Sequence, residues 1–143
     1  MSLKRSLQGV MLLALVGLGI SVYLTWAYTA HVAPICGASG GCETVQTSEY
    51  AWIAGVPVPM LGALGYTGIL ALTVLALRLE DRRELLLLGL FGATLIGVLF
   101  SAYLTYIEFF VIFAICRWCI ASAIVMLLAF LLSVVAYRRH QAE

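Results

Sequence analysis

Charge is scarce in this sequence: eight lysines and arginines and seven aspartates and glutamates among 143 residues, 10% in all. Soluble globular domains run near 25% charged, so a water-facing surface wrapped around an ordinary core is excluded and the bilayer is left as the solvent. Long polar segments are missing as well. Only residues 29–57 form a sizeable break in the apolar sequence, and a piece of that length is too short to bury a core of its own. Histidine is nearly absent: His31 and His140 are the two, and neither stands at metal-ligand spacing to a cysteine. No flavin, haem or nucleotide motif is visible, and a net charge of +1 carries no information about nucleic acid.

What is present is hydrocarbon. The chain is 64% hydrophobic, with a mean hydropathy of +1.08. A membrane-spanning helix needs about 20 largely apolar residues to cross roughly 30 Å, and four stretches meet that: 7–28, 58–77, 85–107 and 116–137. These predict a single all-α domain, an integral membrane four-helix bundle over residues 1–143 with a long loop at 29–57 between the first two helices. Lysine and arginine are retained on the cytoplasmic side. With the N-terminus inside, Lys4, Arg5, Arg78, Arg82, Arg83, Arg138 and Arg139 all fall inside and only Arg117 falls outside, so both termini are expected in the cytoplasm. His31 and His140 then lie on opposite sides, which does not support a bis-histidine haem. The first apolar run exceeds the 7–15 residues of a leader peptide and is expected to remain as an anchor.

The connections differ in character. Arg78–Glu84 is a tight charged turn, Ile107–Ile115 is expected as a nearly uncharged outer turn, and the 29–57 loop is long and glycine-rich. Residues 43–52 lack glycine and proline and predict a short surface helix or half-turn, with Tyr50 and Trp52 suited to the interfacial aromatic belt. Pro57 and Pro59 bracket the start of the second helix, where proline is tolerated. There is also a faint repeat: Ser21-Val-Tyr-Leu-Thr25 recurs as Ser101-Ala-Tyr-Leu-Thr105 at an offset of 80, the same offset that separates Cys36 from Cys116. Duplication accounts for it, and so do two similar helix faces packed in one bundle.

The topology puts all four cysteines at or beyond the outer boundary. Cys116-Arg-Trp-Cys119 opens a helix, where unsatisfied amides and the positive end of the dipole stabilise a thiolate, and Arg117 adds a positive charge. The thiolate is the species that attacks and leaves in disulfide exchange. Cys36 and Cys42 flank five residues of which three are glycine, a segment able to bend and close. Extracytoplasmic placement lets disulfides persist. Two cysteine pairs on one face suit a thiol–disulfide relay. Two structural disulfides in a non-catalytic scaffold or small-molecule transporter are the alternative; ionisable residues, which usually mark transport pathways, are rare within the spans. A four-cysteine zinc site is a further alternative, in a chain with almost no soluble part to stiffen, and no metal is expected.

A relay needs an electron acceptor or donor, and in the absence of cofactor motifs the one reachable from an outer-leaflet Cys-x-x-Cys is a lipid-soluble quinone held in an apolar concavity. Candidate wall residues are Phe100, Tyr103, Leu104, Phe109 and Phe113, with Met60, Leu61 and Tyr66 on the second helix, each of which also reads as ordinary packing. Gly62 and Gly65 allow close approach of a helix or ligand.

The pattern as a whole resembles the integral-membrane vitamin K epoxide reductase family, and within it bacterial homologues that lack a fused thioredoxin-like domain. The resemblance rests on Cys36 and Cys42 in the first outer loop, Ser48 six residues on, Gly62 and Tyr66 opening the second helix, Ser101–Thr105 late in the third and Cys116-Arg-Trp-Cys119 opening the fourth, and it covers nearly the whole chain. It implies that Cys116 and Cys119 form the active-site disulfide, with Cys119 nearest the quinone ring. Cys36 and Cys42 would shuttle electrons, Cys36 meeting the partner and Cys42 attacking Cys116. Ser48, by itself a helix cap or surface residue, would hydrogen-bond a thiolate or a quinone oxygen. The implied activity is oxidation of a separate extracytoplasmic thioredoxin-like protein, with menaquinone, ubiquinone or a vitamin K type quinone as acceptor, at the outer face of the bacterial cytoplasmic membrane. Where animal members carry a ligand-contacting asparagine and tyrosine, this chain has Val58 and Ala123, which puts epoxide reduction in doubt. The analogous disulfide-bond protein B family places its Cys-x-x-Cys in the first outer loop, the reverse of the order here.

Overall fold

The computed structural model describes residues 2–29, 52–53, 56–112 and 117–142. Among them four helices are long and apolar enough to cross a membrane: α1 (Leu3–Thr29), α2 (Val58–Arg78), α3 (Arg83–Ile107) and α4 (Arg117–Ala142). At 1.5 Å per residue, their lengths of 27, 21, 25 and 26 residues all exceed the roughly 30 Å hydrocarbon core. Each helix packs chiefly on its chain neighbours, and α4 closes the ring against α1. The result is an up-down-up-down bundle.

The helices run further than the apolar stretches. α1 begins at Leu3 rather than residue 7, because Ser2 supplies the cap: its Oγ accepts the Arg5 amide at 3.3 Å. α4 runs on to Ala142 through Arg138, Arg139 and His140, and cations are favourable at a helix C-terminus. Hydropathy marks where a span leaves the hydrocarbon, whereas the backbone hydrogen bonds continue past it. The turn between α2 and α3 is tight, as expected. Arg83 folds back across it and donates from Nε to the Ala76 carbonyl at 2.8 Å, satisfying an end group of α2. Across the same end of the bundle Gln141 Nε2 donates to Glu84 Oε1 at 3.2 Å.

Two features depart from the sequence expectation. The outer turn expected at Ile107–Ile115 is helical in its first part: α3 passes directly into a π-helical turn, Glu108–Ile112. Neither glycine nor proline occurs between Val98 and Cys116, so nothing in the chain breaks the helix, and the wider turn takes up the end of it. Trp52, expected to end a short helix, instead begins the minimal antiparallel pair β1 (Trp52–Ile53) and β2 (Val56–Pro57), with Trp52 opposite Pro57 and Ile53 opposite Val56. The rest of the 43–51 expectation lies outside the described residues.

The interior is held by close approach. A Cβ on Gly9 would stand 2.8 Å from Leu132 Cδ1, and one on Gly97 would stand 2.6 Å from Met126 Cε. Small residues at such crossings matter in lipid, where packing rather than water exclusion drives helix association. Phe91 and Phe130 pack with ring centroids 5.5 Å apart between α3 and α4. Nearby, the fully buried Thr94 and Ser133 share a 3.0 Å hydrogen bond between those helices. Each hydroxyl also lies within bonding distance of a carbonyl of its own helix, and with one proton apiece the two fill two of these three contacts at a time. Thr94→Val is therefore expected to cost only about 0.5–1.5 kcal/mol, measured as a small fall in unfolding temperature in detergent; a loss several times larger would mean that the pair is the main clamp between α3 and α4.

Candidate functional site

The alternation of direction gathers the ends of α1 and α3 and the starts of α2 and α4 at one end of the bundle. Cys119, half-buried, sits in the first turn of α4. The segment carrying Cys36 and Cys42 leaves α1 and returns through β2, which contacts both α1 and α2, at this same end. Cys36, Cys42, Ser48, Cys116 and Phe113 lie outside the described residues.

Two contacts fix the start of α4. Trp118, inside the Cys-x-x-Cys, packs on Tyr23 of α1 with ring centroids 5.0 Å apart and planes tilted by 49°. Tyr23 in turn stacks with Trp26 at 6.4 Å. One turn below Cys119, Ser122 receives Tyr66. The phenol hydroxyl of Tyr66 donates to the Ser122 carbonyl at 2.8 Å and lies 3.0 Å from the Ser122 hydroxyl. This tyrosine is 1% exposed and reaches from α2 across the diagonal of the bundle to α4. Its ring occupies the space where a Cβ on Gly17 of α1 would be, and such an atom would collide with Cε1 and Cζ. Gly17, Tyr66 and Ser122 thus tie α1, α2 and α4 together beneath Cys119.

The candidate quinone wall divides by exposure. Phe100 and Leu104 of α3 and Leu61 of α2 are half-buried, whereas Met60, Phe109 and Tyr103 face outward, Tyr103 at 54% exposure. Tyr106 and Phe110 pack at 5.1 Å along the outer part of the same helix. The two glycines separate likewise. Gly62 lets α1 approach, a Cβ there meeting Ser21 Oγ at 3.1 Å, whereas Gly65 has open space beside it.

The repeat has a structural counterpart. Thr25 donates to the Ser21 carbonyl at 2.7 Å and Thr105 to the Ser101 carbonyl at 2.8 Å, the same bond back to the preceding helical turn. Their surroundings differ: Ser21 is buried against α2 and Tyr23 packs on Trp118, whereas Ser101 is half-buried and Tyr103 is exposed.

Sequence reasoning missed Tyr23, Trp118, Gly17 and Ser122 as parts of this end. The repeat pointed at Tyr23 without saying what it touches. Nothing in the sequence pointed at Ser122, because a contact across the bundle diagonal has no periodic trace. Among the described residues no group of three or more histidines, cysteines, aspartates or glutamates is placed to hold a metal ion.

The model of the vitamin K epoxide reductase family matches residues 9–134. That range runs from within α1 to within α4 and takes in α2, α3, the loop with Cys36 and Cys42, and the Cys-x-x-Cys at the start of α4. The chain belongs to the vitamin K epoxide reductase family and is, by that membership, a membrane disulfide oxidoreductase.

Proposed function

We propose that this protein oxidises a separate extracytoplasmic thioredoxin-like protein and passes the electrons to a membrane quinone, supporting disulfide formation at the outer face of a bacterial cytoplasmic membrane. The observation that carries the reading is the convergence at one end of the bundle: Cys119 in the first turn of α4, and both ends of the Cys36/Cys42 segment beside it. Cys36 follows Thr29 by seven residues and Cys42 precedes Trp52 by ten. At about 3.3–3.6 Å per extended residue, either sulfur reaches across the end of a bundle whose helices pack 8–10 Å apart.

Electrons run from the partner dithiol to Cys36/Cys42, from there to Cys116/Cys119, and on to the quinone. Overall, the partner loses two electrons and two protons in closing its disulfide, and the quinone gains both pairs to become the quinol. A quinone supplies a sink more oxidising than glutathione, and each ~30 mV of a two-electron couple is worth about 1.4 kcal/mol. Apolar side chains of α2 and α3 are the candidate contacts for such a molecule. Met60 and Tyr103 are exposed, and Leu61, Phe100 and Leu104 are half-buried apolar side chains. Ser48 is the polar contact that the family resemblance implies. Val58 and Ala123, at the positions of the animal ligand contacts, bring no polar atom to an epoxide, so quinone rather than epoxide is the favoured substrate. The basic end, with Lys4, Arg5, Arg138 and Arg139, is the cytoplasmic one.

The deciding experiment mixes purified protein, a reduced thioredoxin-like protein and a quinone. Quinone absorbance is expected to fall in step with partner oxidation; cysteines that stay oxidised whatever the quinone redox state would support a structural role and overturn the reading. The order of the relay has its own test. Cys42→Ala is expected to trap the partner as a mixed disulfide on Cys36, visible as a heavier band in non-reducing electrophoresis; a partner trapped on Cys116 would reverse the assignment.

A further inference from the structure

The end of the bundle opposite Cys119 carries an uneven charge pattern that the redox reading does not use. Near the α2–α3 turn, Arg78, Arg82 and Arg83 stand among Glu80, Asp81 and Glu84 and are balanced by them, and Arg83 is further engaged in capping α2. The α1–α4 side is less balanced: the acid that reaches it among the described residues is Glu84, whose Oε1 accepts from Gln141 of α4. Lys4 and Arg5 open α1, Arg138 and Arg139 close α4, all four are exposed, and neither helix contains an acidic residue. Glu143, the nearest acid in the sequence, lies outside the described residues.

Two of these cations share one seam. The contact of Gly9 with Leu132 marks the face on which α1 meets α4. Arg5 is one turn before Gly9, and Arg139 is two turns after Leu132, so both fall on that face. With a rise of 1.5 Å per residue, they lie about 6 and about 10.5 Å beyond the contact, a difference smaller than one helical turn. Side chains lean toward the N-terminus of their own helix. In this antiparallel pair the Cα–Cβ bond of Arg5 tilts away from the membrane and that of Arg139 tilts back toward it, which narrows the difference in level between the two side chains. Above them the outer edge of the seam is apolar and open: Leu12, Val16 and Leu128 are 65%, 50% and 44% exposed. Two guanidinium groups at the polar boundary over an exposed aliphatic track match a phosphate headgroup joined to an acyl chain.

We propose that Arg5 and Arg139 form a binding site for an anionic phospholipid at the α1–α4 seam, the phosphate held between the guanidinium groups and a chain lying along Leu12, Val16 and Leu128. Guanidinium suits phosphate because it presents paired donors in a planar fork. Lys4 and Arg138 add to the local potential without facing the seam.

The test uses the purified full chain in detergent, where the readout does not depend on which way the chain was inserted. Phosphatidylglycerol and phosphatidylcholine are titrated separately, and bound lipid is counted by native mass spectrometry. The wild-type chain is expected to bind phosphatidylglycerol at least about tenfold more tightly, with the preference falling as salt is raised. Arg5→Gln with Arg139→Gln is expected to weaken phosphatidylglycerol binding about 20-fold, from about fivefold per cation, and to leave phosphatidylcholine binding unchanged. Arg78→Gln with Arg82→Gln is expected to change it less than about twofold. Absence of preference in the wild-type chain overturns the proposal whatever the variants do. Equal losses in the two double variants also overturn it, by reducing the effect to overall charge. Displacement of phosphatidylglycerol by inorganic phosphate at equal concentration shows an anion site without a lipid track, and overturns it as well.

Discussion

Cys119→Ala is expected to bring quinone reduction by a reduced thioredoxin-like protein to background, a loss of at least roughly 1000-fold. The size follows from the chemistry. Disulfide exchange proceeds through a thiolate that attacks or leaves, and alanine offers neither. Cys119 also occupies the first turn of α4, where the helix dipole favours the thiolate. The bundle is expected to survive. Cys119 is half-buried, alanine is a good helix former, and the contacts that place this turn are made by Trp118 and Ser122. An unfolding temperature within a few degrees of wild type, alongside lost turnover, separates loss of chemistry from loss of fold. Undiminished turnover would sink the enzymatic reading.

Tyr66→Ala carries the largest expected cost to stability, about 3 kcal/mol, at the lower end of the range for removing a buried aromatic from a core. The ring is 1% exposed and spans from α2 over Gly17 to Ser122. Because packing drives helix association in lipid, the void it leaves is the main term. Tyr66→Phe keeps the ring and loses only the hydroxyl bonds, an expected cost near 1 kcal/mol. Gly17→Ala is expected to cost about 1–3 kcal/mol by overpacking, since its Cβ collides with the Tyr66 ring. The two sites share one space, so the Gly17→Ala, Tyr66→Ala double variant is expected to be more stable than the sum of the single losses by 1 kcal/mol or more. Simple additivity in a denaturation series would show that Gly17 and Tyr66 do not meet.

The spans were legible because scarcity of charge over about 20 residues leaves a chain few alternatives. Their ends were less so. Ser2 capping α1 and the run of α4 through Arg138 to His140 lie beyond the apolar pattern, where hydrogen bonds rather than hydropathy decide. The segment after Ile107 was expected as a nearly uncharged outer turn, yet the lack of any glycine or proline let the helix continue as a π turn. At the site, Cys119 was marked by its motif, and the family match over residues 9–134 agrees with the resemblance drawn from the cysteine order. Tyr66 was picked out as a pocket wall; its placement shows a tyrosine whose hydroxyl is bonded to the α4 backbone.

By itself the sequence determined a membrane protein of four helices, and led to the expectation of every lysine and arginine but Arg117 at one end and the cysteine pairs at the other. Those are properties of composition and order along the chain, and short connections force neighbouring helices to run antiparallel. Only the tertiary structure decided that Trp118 leans on Tyr23, that Tyr66 reaches Ser122 over Gly17, and that α1 meets α4 where Gly9 faces Leu132. Each depends on the rotation of one helix against another, set by which small residues permit close approach, and hydropathy is nearly the same all round helices as apolar as these.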